Sequence, residues 1–317
     1  MSRSSKYIWW NGSLVPYAQA QLPFMTTALH YGGAVFEGIR AYRGDAGVAI
    51  FRLREHIVRL FDSAHIFGLP EIDYSVEALM AACDEVVSAN AFGDCYLRPV
   101  VFIADGGWNL TTVDVKLGVG IAAWEWAAYL GDEAREKGVR ANVASFTRHH
   151  PNVMMTKAKI SGNYANSILA KTESMRLGFD EAILLDPQGF VAECTGENLF
   201  LVKGGKVVTP GTATILEGLT RDALLTIAKN LGYEVREAAI SRDQLYAADE
   251  VFVCGTAAEV VALREIDFRR IGAGVMGPVA ARLQHTFHDA VRGRLPEYEA
   301  WLTPVGAARP EALSPSS

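Results

Sequence analysis

The segment MMTKAKISGNYANS (154–167) places two lysines, Lys157 and Lys159, two residues apart, just before Gly162 and the start of a predicted helix. Lysine is costly to bury unless it is paired or functional. A lysine amine whose neutral form is favoured by burial becomes a nucleophile toward aldehydes. A solvated turn with two surface lysines is the commoner structure for this composition. The segment therefore offers a candidate nucleophile, and spacing alone does not choose between the two lysines.

A glutamate stands in the middle of an apolar stretch further along the chain. Glu193 lies in VAECTGENLF, on a predicted strand between apolar neighbours. A carboxylate in such a position is able to keep a heteroaromatic nitrogen protonated. The structural alternative is an edge-strand glutamate that faces water. Glu193 is therefore a candidate for tuning an aromatic cofactor.

Two segments have the backbone pattern of an anion site. In LEGLTRD (216–222), the N–H groups of Gly218, Leu219 and Thr220 stand at the start of a predicted helix, where phosphate binds readily. A plain helix cap is the commoner use of threonine there. In CGTAAE (254–259), small residues after an apolar strand allow close approach of a ligand to the backbone N–H groups. A tightly packed core turn is the alternative for this second segment.

The surroundings of three other polar residues do not distinguish a functional role from a structural one. Arg98 is a charged residue in the otherwise apolar strand CYLRPV, and Tyr31 and Tyr129 are aromatic hydroxyls near predicted element ends. Each of these types, taken alone, is most often structural. The histidines form no metal-ligand pattern with nearby acids, so we expect no metal site.

Composition restricts the class of protein. The chain has 317 residues, half of them hydrophobic, and a net charge of −6 without basic runs, which is ordinary for a globular protein and gives no sign of a nucleic-acid surface. The four cysteines match no zinc or redox motif and are expected to be free, buried thiols in a reducing compartment. No apolar run suits a signal peptide or a membrane helix of ~20 residues. We therefore expect a cytoplasmic location.

The predicted elements alternate between β and α along the whole chain. Asn11-Gly12 between apolar runs predicts a hairpin, and Ser75 is a good cap for a helix that runs to about Asn90. A second hairpin is predicted through FVAECTGENLFLV, and a long helix over Pro278 to Val291. The sequence predicts a small α/β domain over 1–128, an inter-domain connection over 129–138, a large α/β domain over 139–304 and a disordered tail over 305–317.

Seven segments in order give the chain a family resemblance. They are ALHYGGAVFEGIRAY, IFRLREHIVRLFDSA, CYLRPV, AKISGNY, VAECTGENLF, LEGLTRD and ADEVFVCGTAAEV, and together they resemble the branched-chain amino acid aminotransferases, class IV (fold type IV) pyridoxal-phosphate enzymes. The resemblance covers about residues 7 to 303. It implies a two-domain α/β fold like that of D-amino acid aminotransferase, with pyridoxal 5′-phosphate in the inter-domain cleft. It also implies a homodimer at least, which in relatives assembles further into a hexamer.

The resemblance assigns residue roles and resolves the choice of lysine. In AKxxGNY the lysine after alanine, Lys159, holds the cofactor as a Schiff base. Arg59 is implied to bind the cofactor phosphate, Tyr164 to lie near the pyridoxal O3′, and Glu193 to face the pyridine nitrogen. The remaining cofactor contacts it implies are Leu216, Gly218, Leu219, Thr220, Gly255 and Thr256. The substrate contacts it implies are Tyr31 from the neighbouring subunit, Phe36, Tyr96, Arg98, Tyr129, Thr256, Ala257 and Ala258.

The implied reaction transfers the amino group of leucine, isoleucine or valine to 2-oxoglutarate by a ping-pong mechanism. Alternatives on the same scaffold are a D-amino acid or amine transaminase, an aminodeoxychorismate lyase and a non-enzymatic binding protein. Arg98 in YLRP together with GTAAE favours the branched-chain type. The segment ADGGWNLTTVDVK (104–116) departs from the usual family loop, so the ranking of the three amino acids stays open.

Overall fold

The computed structural model describes residues 5–126 and 132–306, which form two β-sheets flanked by helices. The first sheet has the order β17-β5-β4-β6-β7-β1-β2, with β3 paired to β6. Its strands are β1 (Tyr7–Trp10), β2 (Ser13–Pro16), β3 (Ala34–Phe36), β4 (Ile39–Gly44), β5 (Gly47–Phe51), β6 (Cys95–Asp105), β7 (Lys116–Trp124) and β17 (Leu302–Pro304). The predicted Asn11-Gly12 hairpin is present between β1 and β2, and both turn residues have positive φ, 45° and 103°. Such backbone angles are what this dipeptide supplies in a two-residue hairpin.

Three helices belong to this half of the chain: α1 (Thr27–Tyr31), α2 (Leu53–Phe67) and α3 (Val76–Asn90). Ser75 caps α3 as predicted, because its Oγ accepts a hydrogen bond from the Ala78 N–H at 3.1 Å. The apolar faces of α2 and α3 share a buried cluster with the first sheet, and this cluster includes Leu60, Val86 and Leu97. The packing fixes α2, which carries Arg59, against the first sheet.

The second sheet has the order β10-β9-β8-β15-β14-β11-β12-β13, with β16 paired to β15. Its strands are β8 (Val139–Val143), β9 (Glu181–Leu185), β10 (Val191–Cys194), β11 (Asn198–Lys203), β12 (Lys206–Thr209), β13 (Val235–Glu237), β14 (Glu250–Gly255), β15 (Glu259–Ile266) and β16 (Arg269–Arg270). The predicted hairpin through FVAECTGENLFLV is wrong. β10 pairs with β9, whereas β11 pairs with β12 and β14, so the chain passes from one edge of the sheet toward its other end.

The remaining helices are α4 (Asp132–Lys137), α5 (Tyr164–Arg176), α6 (Leu219–Asn230), α7 (Arg242–Tyr246) and α8 (Pro278–Val291). Helices α6 and α8 pack on the second sheet through a cluster that includes Ile227, Phe252 and Leu283. The long helix predicted over residues 278–291 is confirmed. Short 3₁₀ turns cover Tyr17–Gln19, Ser161–Asn163, Thr212–Thr214 and Pro296–Trp301.

The last described strand, β17, belongs to the first sheet. Residues 302–304, which the sequence assigns to the large domain, form β17, and β17 pairs with β5 in a register from Leu302↔Phe51 to Pro304↔Ala49. We propose that the two sheets mark the two domains. Helix α4 occupies most of the predicted connection, whereas residues 129–131 of it, with Tyr129, and residues 307–317 of the predicted tail lie outside the described residues. In residues 5–126 and 132–306, no helix is long and apolar enough to cross a membrane.

Candidate active site

The Lys159 backbone is set in place by elements of the first half of the chain. Its N–H donates to Ser63 Oγ of α2 at 3.0 Å, and its carbonyl accepts from the Phe36 N–H at 3.1 Å. The Lys159 Nζ lies 2.6 Å from the hydroxyl of Tyr164, the first residue of α5. Lys157 is turned away from this point, since its amine bonds the Ile215 carbonyl at 3.3 Å and the Glu217 carboxylate at 2.9 Å. Only one of the two lysines therefore lines the cavity described next.

One cavity between the two sheets brings together every residue that the sequence assigns to the cofactor. It is lined by Arg59, Lys159, Tyr164, Glu193, Leu216, Gly218, Leu219, Thr220, Gly255 and Thr256, among others. These residues come from α2, the lysine segment, α5, β10, the start of α6 and the end of β14. The predicted cofactor residues thus lie on six separate parts of the chain, which the fold brings together at one place.

Arg59 stands at one end of this cavity and is held by a buried carboxylate. Glu37, between β3 and β4, accepts from Arg59 Nε at 2.7 Å and from Nη2 at 2.9 Å. His56 Nδ1 lies 2.7 Å from the same carboxylate. Burial would raise the pKa of Glu37, but Arg59 and His56 outweigh it and hold that pKa well below its usual range. The guanidinium of Arg59 is thus fixed before any ligand arrives.

The N-terminus of α6 faces the same end of the cavity. Gly218 is the cap residue, and no side chain in the described structure caps the start of this 12-residue helix. A Cβ at Gly218 would collide with Asn198 Oδ1, so the backbone approaches its neighbour as closely as only glycine allows. Arg59 Nη1 also donates to the Glu217 carbonyl at 2.6 Å, beside this turn. A cation and free N–H groups together form an anion site.

Glu193 lies at another wall of the cavity and is almost fully buried. Its Oε2 accepts from Asn198 Nδ2 and from the Leu216 N–H, each at 3.2 Å. Its Oε1 lies 2.7 Å from Arg148 Nε. Burial raises the pKa of Glu193, while Arg148 and Lys159 oppose that rise. The carboxylate is therefore buried, oriented and close to cations.

A second cavity of about 420 Å³ adjoins the first and shares Arg59, Lys159, Tyr164 and Thr256 with it. Phe36, Tyr96, Arg98 and Ala257, four of the expected substrate residues, line it. The Arg98 guanidinium carbon lies 4.5 Å from the Phe36 ring centre, and its Nη2 donates to the Tyr96 hydroxyl at 3.1 Å. The cavity therefore combines aromatic walls with a cation held among them.

Thr256, a fifth expected substrate residue, lines this cavity as well, whereas Ala258 and Tyr31 do not. Ala258, which follows Ala257 in the turn after β14, is buried. Tyr31 lies on α1, is 52% exposed and packs edge-on against Trp108 of the 106–115 loop. Tyr129 lies outside the described residues, and the expectation that Tyr31 serves a neighbouring subunit concerns a second chain.

Two buried residues of the site were missed from sequence. Glu37 lies among apolar neighbours in FEGIRAY and Arg148 lies in the polar stretch FTRHHPN, and their burial depends on partners that are 22 and 45 residues away, respectively. A charged residue next to an apolar strand was the available signal, but it does not identify the partner. Among the described residues, no group of three His, Cys, Asp or Glu side chains is arranged to hold a metal ion.

Comparison with known proteins identifies the family. Residues 34–266 match the model of amino-transferase class IV. The chain belongs to this class IV aminotransferase family and has its fold, as the sequence predicts.

Several similar relatives are branched-chain-amino-acid aminotransferases. The branched-chain-amino-acid aminotransferase of Pseudomonas aeruginosa is 46% identical over 298 residues, covering 94% of this chain and 97% of that protein. A solved structure of the T.th. branched-chain amino acid aminotransferase with pyridoxamine 5′-phosphate matches with a TM-score of 0.92 at 49% identity, covering 95% and 99% of the two chains. The same T.th. enzyme complexed with N-(5′-phosphopyridoxyl)-L-glutamate matches with a TM-score of 0.90 at 46% identity and covers the same 95% and 99%.

Proposed function

We propose that this chain transfers the α-amino group of leucine, isoleucine and valine to 2-oxoglutarate, using pyridoxal 5′-phosphate. The observation that carries the proposal is the junction of the two cavities at Lys159. The amine stands between an anion site with a buried carboxylate on one side and an aromatic cavity with a cation on the other. Similarity to branched-chain aminotransferases over nearly the whole chain supports the same reaction.

The first cavity suits pyridoxal phosphate by the chemistry of its donors. Arg59 and the open N-terminus of α6 match a dianionic phosphate, with the Thr220 and Thr256 hydroxyls beside them. Glu193 matches a basic ring nitrogen, and Lys159 matches an aldehyde. When bound, the cofactor supplies that aldehyde and an aromatic ring that delocalises the electron pair released at the substrate α-carbon.

Lys159 has two tasks in this mechanism. It would hold the cofactor through its amine, and the same amine, when free, would remove the proton from the substrate α-carbon as a general base. The Tyr164 hydroxyl accepts a hydrogen bond from Lys159 Nζ at 2.6 Å and so orients the amine. Glu193 would hold a proton on the ring nitrogen of the bound cofactor, because an ionised buried carboxylate favours a cation beside it.

The second cavity has to accept both aliphatic side chains and the charged side chain of glutamate. Phe36 and Tyr96 give apolar surface, and the Tyr96 hydroxyl gives a polar end. Arg98 supplies the charge that a γ-carboxylate needs when it is taken out of water. The turn after Gly255, which includes Thr256 and Ala257, presents N–H groups for the α-carboxylate that all the substrates share.

We assign the active form to a homodimer or a larger assembly. The apolar side chains of Phe24, Met25 and Leu29 around α1 are more than half exposed, as is Tyr31, and monomers rarely leave such a patch open. A second chain would cover the patch and place Tyr31 near the neighbour's substrate. Four buried free thiols support a reducing compartment, and we place the enzyme in the cytoplasm on that ground.

A half-reaction screen tests the proposed function. The purified enzyme, loaded with pyridoxal phosphate, is mixed with each amino acid in turn, and the cofactor absorbance is followed. Leucine, isoleucine and valine should each convert the aldehyde form to the amine form, and 2-oxoglutarate should restore it. Conversion only with D-amino acids or amines, or pyruvate release from aminodeoxychorismate, would replace the proposal with another member of the family.

A further inference from the structure

Arg148 reaches the cofactor cavity from the segment that follows β8, a strand that does not pair with the strand of Glu193. Its backbone N–H donates to the Leu185 carbonyl at the end of β9 at 2.7 Å. Its side chain extends to β10, where Nε lies 2.7 Å from Glu193 Oε1. Both residues are more than nine-tenths buried. An ion pair so well shielded from water interacts far more strongly than one at the surface.

Another cation and another acid among the described residues also interact with Glu193. The cation is Lys159, whose amine is engaged with Tyr164 and would serve as attachment point and general base, so its charge would change during the reaction. The acid is Glu197, and burial together with the neighbouring Glu181 raises its pKa to about 8, so it is mostly neutral at pH 7. Arg148 is therefore the permanent positive charge beside Glu193.

Arg148 is itself held on its far side by His149. Its Nη1 lies 3.3 Å from His149 Nδ1. Burial, with the help of Arg148, lowers the pKa of His149 to about 4, so the ring is neutral at physiological pH. A neutral imidazole nitrogen is able to accept a hydrogen bond from a guanidinium. The guanidinium is thus fixed between an acceptor and a carboxylate.

We propose that Arg148 is a positioning residue that keeps the Glu193 carboxylate ionised and aimed into the cavity, so that Glu193 is able to hold a proton on the cofactor's ring nitrogen. This inference rests on the proposed function in assigning the ring nitrogen to Glu193. The physical reason is that a buried carboxylate without a cation gains a proton more readily than it keeps its charge. A protonated Glu193 would donate to the ring nitrogen and leave it neutral.

The test compares Arg148→Met with a matched variant, Arg140→Met. Arg140 lies on β8 of the same sheet, and its Nε donates to Glu265 at 2.7 Å, but it does not line the cavity. Each holoenzyme is prepared with ¹⁵N-labelled pyridoxal phosphate, and the ring-nitrogen chemical shift is followed against pH. Arg148→Met should move the shift at neutral pH toward that of an unprotonated pyridine and slow the leucine half-reaction about tenfold or more, which corresponds to one pK unit. Arg148→Lys should restore most of both, and Arg140→Met should change neither.

A pair of variants keeps the proposal testable if Arg148→Met folds poorly. Glu193→Gln removes the charge that Arg148 compensates, so adding Arg148→Met to it should cause no further change in shift or rate. Additive losses in that double variant, or a wild-type chemical shift in Arg148→Met, would overturn the inference. The nitrogen shift is read without turnover, so it judges Arg148 even if leucine proves not to be the substrate.

Discussion

Both carboxylate oxygens of Glu37 are engaged by Arg59, at 2.7 Å from Nε and 2.9 Å from Nη2. The pair joins α2 to the turn between β3 and β4, and Glu37 has no exposed surface. The orientation of Arg59 toward the cavity is therefore set by the fold rather than by the ligand. Loss of this ion pair should therefore affect both the stability of the fold and the retention of the cofactor.

Replacing Glu37 with glutamine should destabilise the protein by about 3–5 kcal/mol, because one partner of a buried ion pair is removed. Cofactor release should also be faster, since Arg59 loses its fixed orientation. The pKa of Glu37 is lowered in the folded state, so its stabilisation is present above its ordinary value of 4.5 and is lost as pH falls below that value. Urea unfolding at several pH values measures this. Glu55→Gln, at the more exposed Arg52–Glu55 pair on the same helix, is the control and should cost about 1 kcal/mol or less.

Lys159→Ala should abolish nearly all transamination while the protein remains folded, because the change removes both the attachment point and the general base. Borohydride reduction of the wild-type holoenzyme followed by peptide mass spectrometry should find the cofactor on Lys159. Lys157→Ala is the matched control: its amine bonds the 212–217 loop, so the variant should keep the covalent adduct. A reduced adduct on Lys157 would contradict the assignment.

Glu197 gives the protein a stability that depends on pH in the opposite sense to Glu37. Burial raises its pKa from 4.5 to about 8, so the folded state binds a proton that the unfolded chain has released between these values. Its contribution to stability is therefore present below about pH 4.5 and is lost progressively as pH rises to about 8.

Glu197→Gln keeps an acceptor for the Gly196 N–H and removes this loss. The variant should match the wild-type protein near pH 5 and exceed it above pH 8 by a few kcal/mol at most, on the order of 1.4 kcal/mol per pK unit. Thermal unfolding of the apoenzyme and the holoenzyme across this range measures the difference. A gap of equal size at both ends of the range would rule out titration of Glu197 as its cause.

The sequence predicts those features of the fold that depend on residues close together in the chain. The Asn11-Gly12 turn and the Ser75 cap depend on neighbouring residues, and both are present. The hairpin predicted between β10 and β11 failed because strand pairing is decided by distant partners, here β9 and β14. The same reason hid Glu37 and Arg148, whose burial is stabilised only by partners brought from other elements.

The order of motifs, rather than any one of them, predicted the cofactor residues. All ten line one cavity, although their roles stay a prediction. The substrate residues were harder to place for a physical reason. Tyr31 is exposed and does not line the cavity of its own chain, so the role proposed for it requires a second chain.

Arg98 provides the sharpest test of whether one cavity accepts both aliphatic side chains and the side chain of glutamate. Glutamate and leucine share the α-amine and the α-carboxylate, and they differ only at the side-chain end. The γ-carboxylate of glutamate would enter an aromatic cavity, where an unpaired charge is unfavourable. Arg98 is half-buried there, stacked on Phe36 and bonded to the Tyr96 hydroxyl.

Arg98→Met keeps the apolar stem among the rings and removes the charge. Removing one partner of a buried charge pair typically costs about 2–5 kcal/mol, so glutamate and 2-oxoglutarate should weaken by a factor of about 30 or more. Leucine makes no such contact and should change only a few-fold. Half-reaction kinetics with each substrate separately measure the two effects, and Tyr96→Phe, which removes only the hydroxyl that Arg98 contacts, serves as the milder companion. If the half-reactions with leucine and with glutamate weaken equally in Arg98→Met, the arginine is structural. It then holds β6 through its stacked rings and does not contribute to substrate recognition.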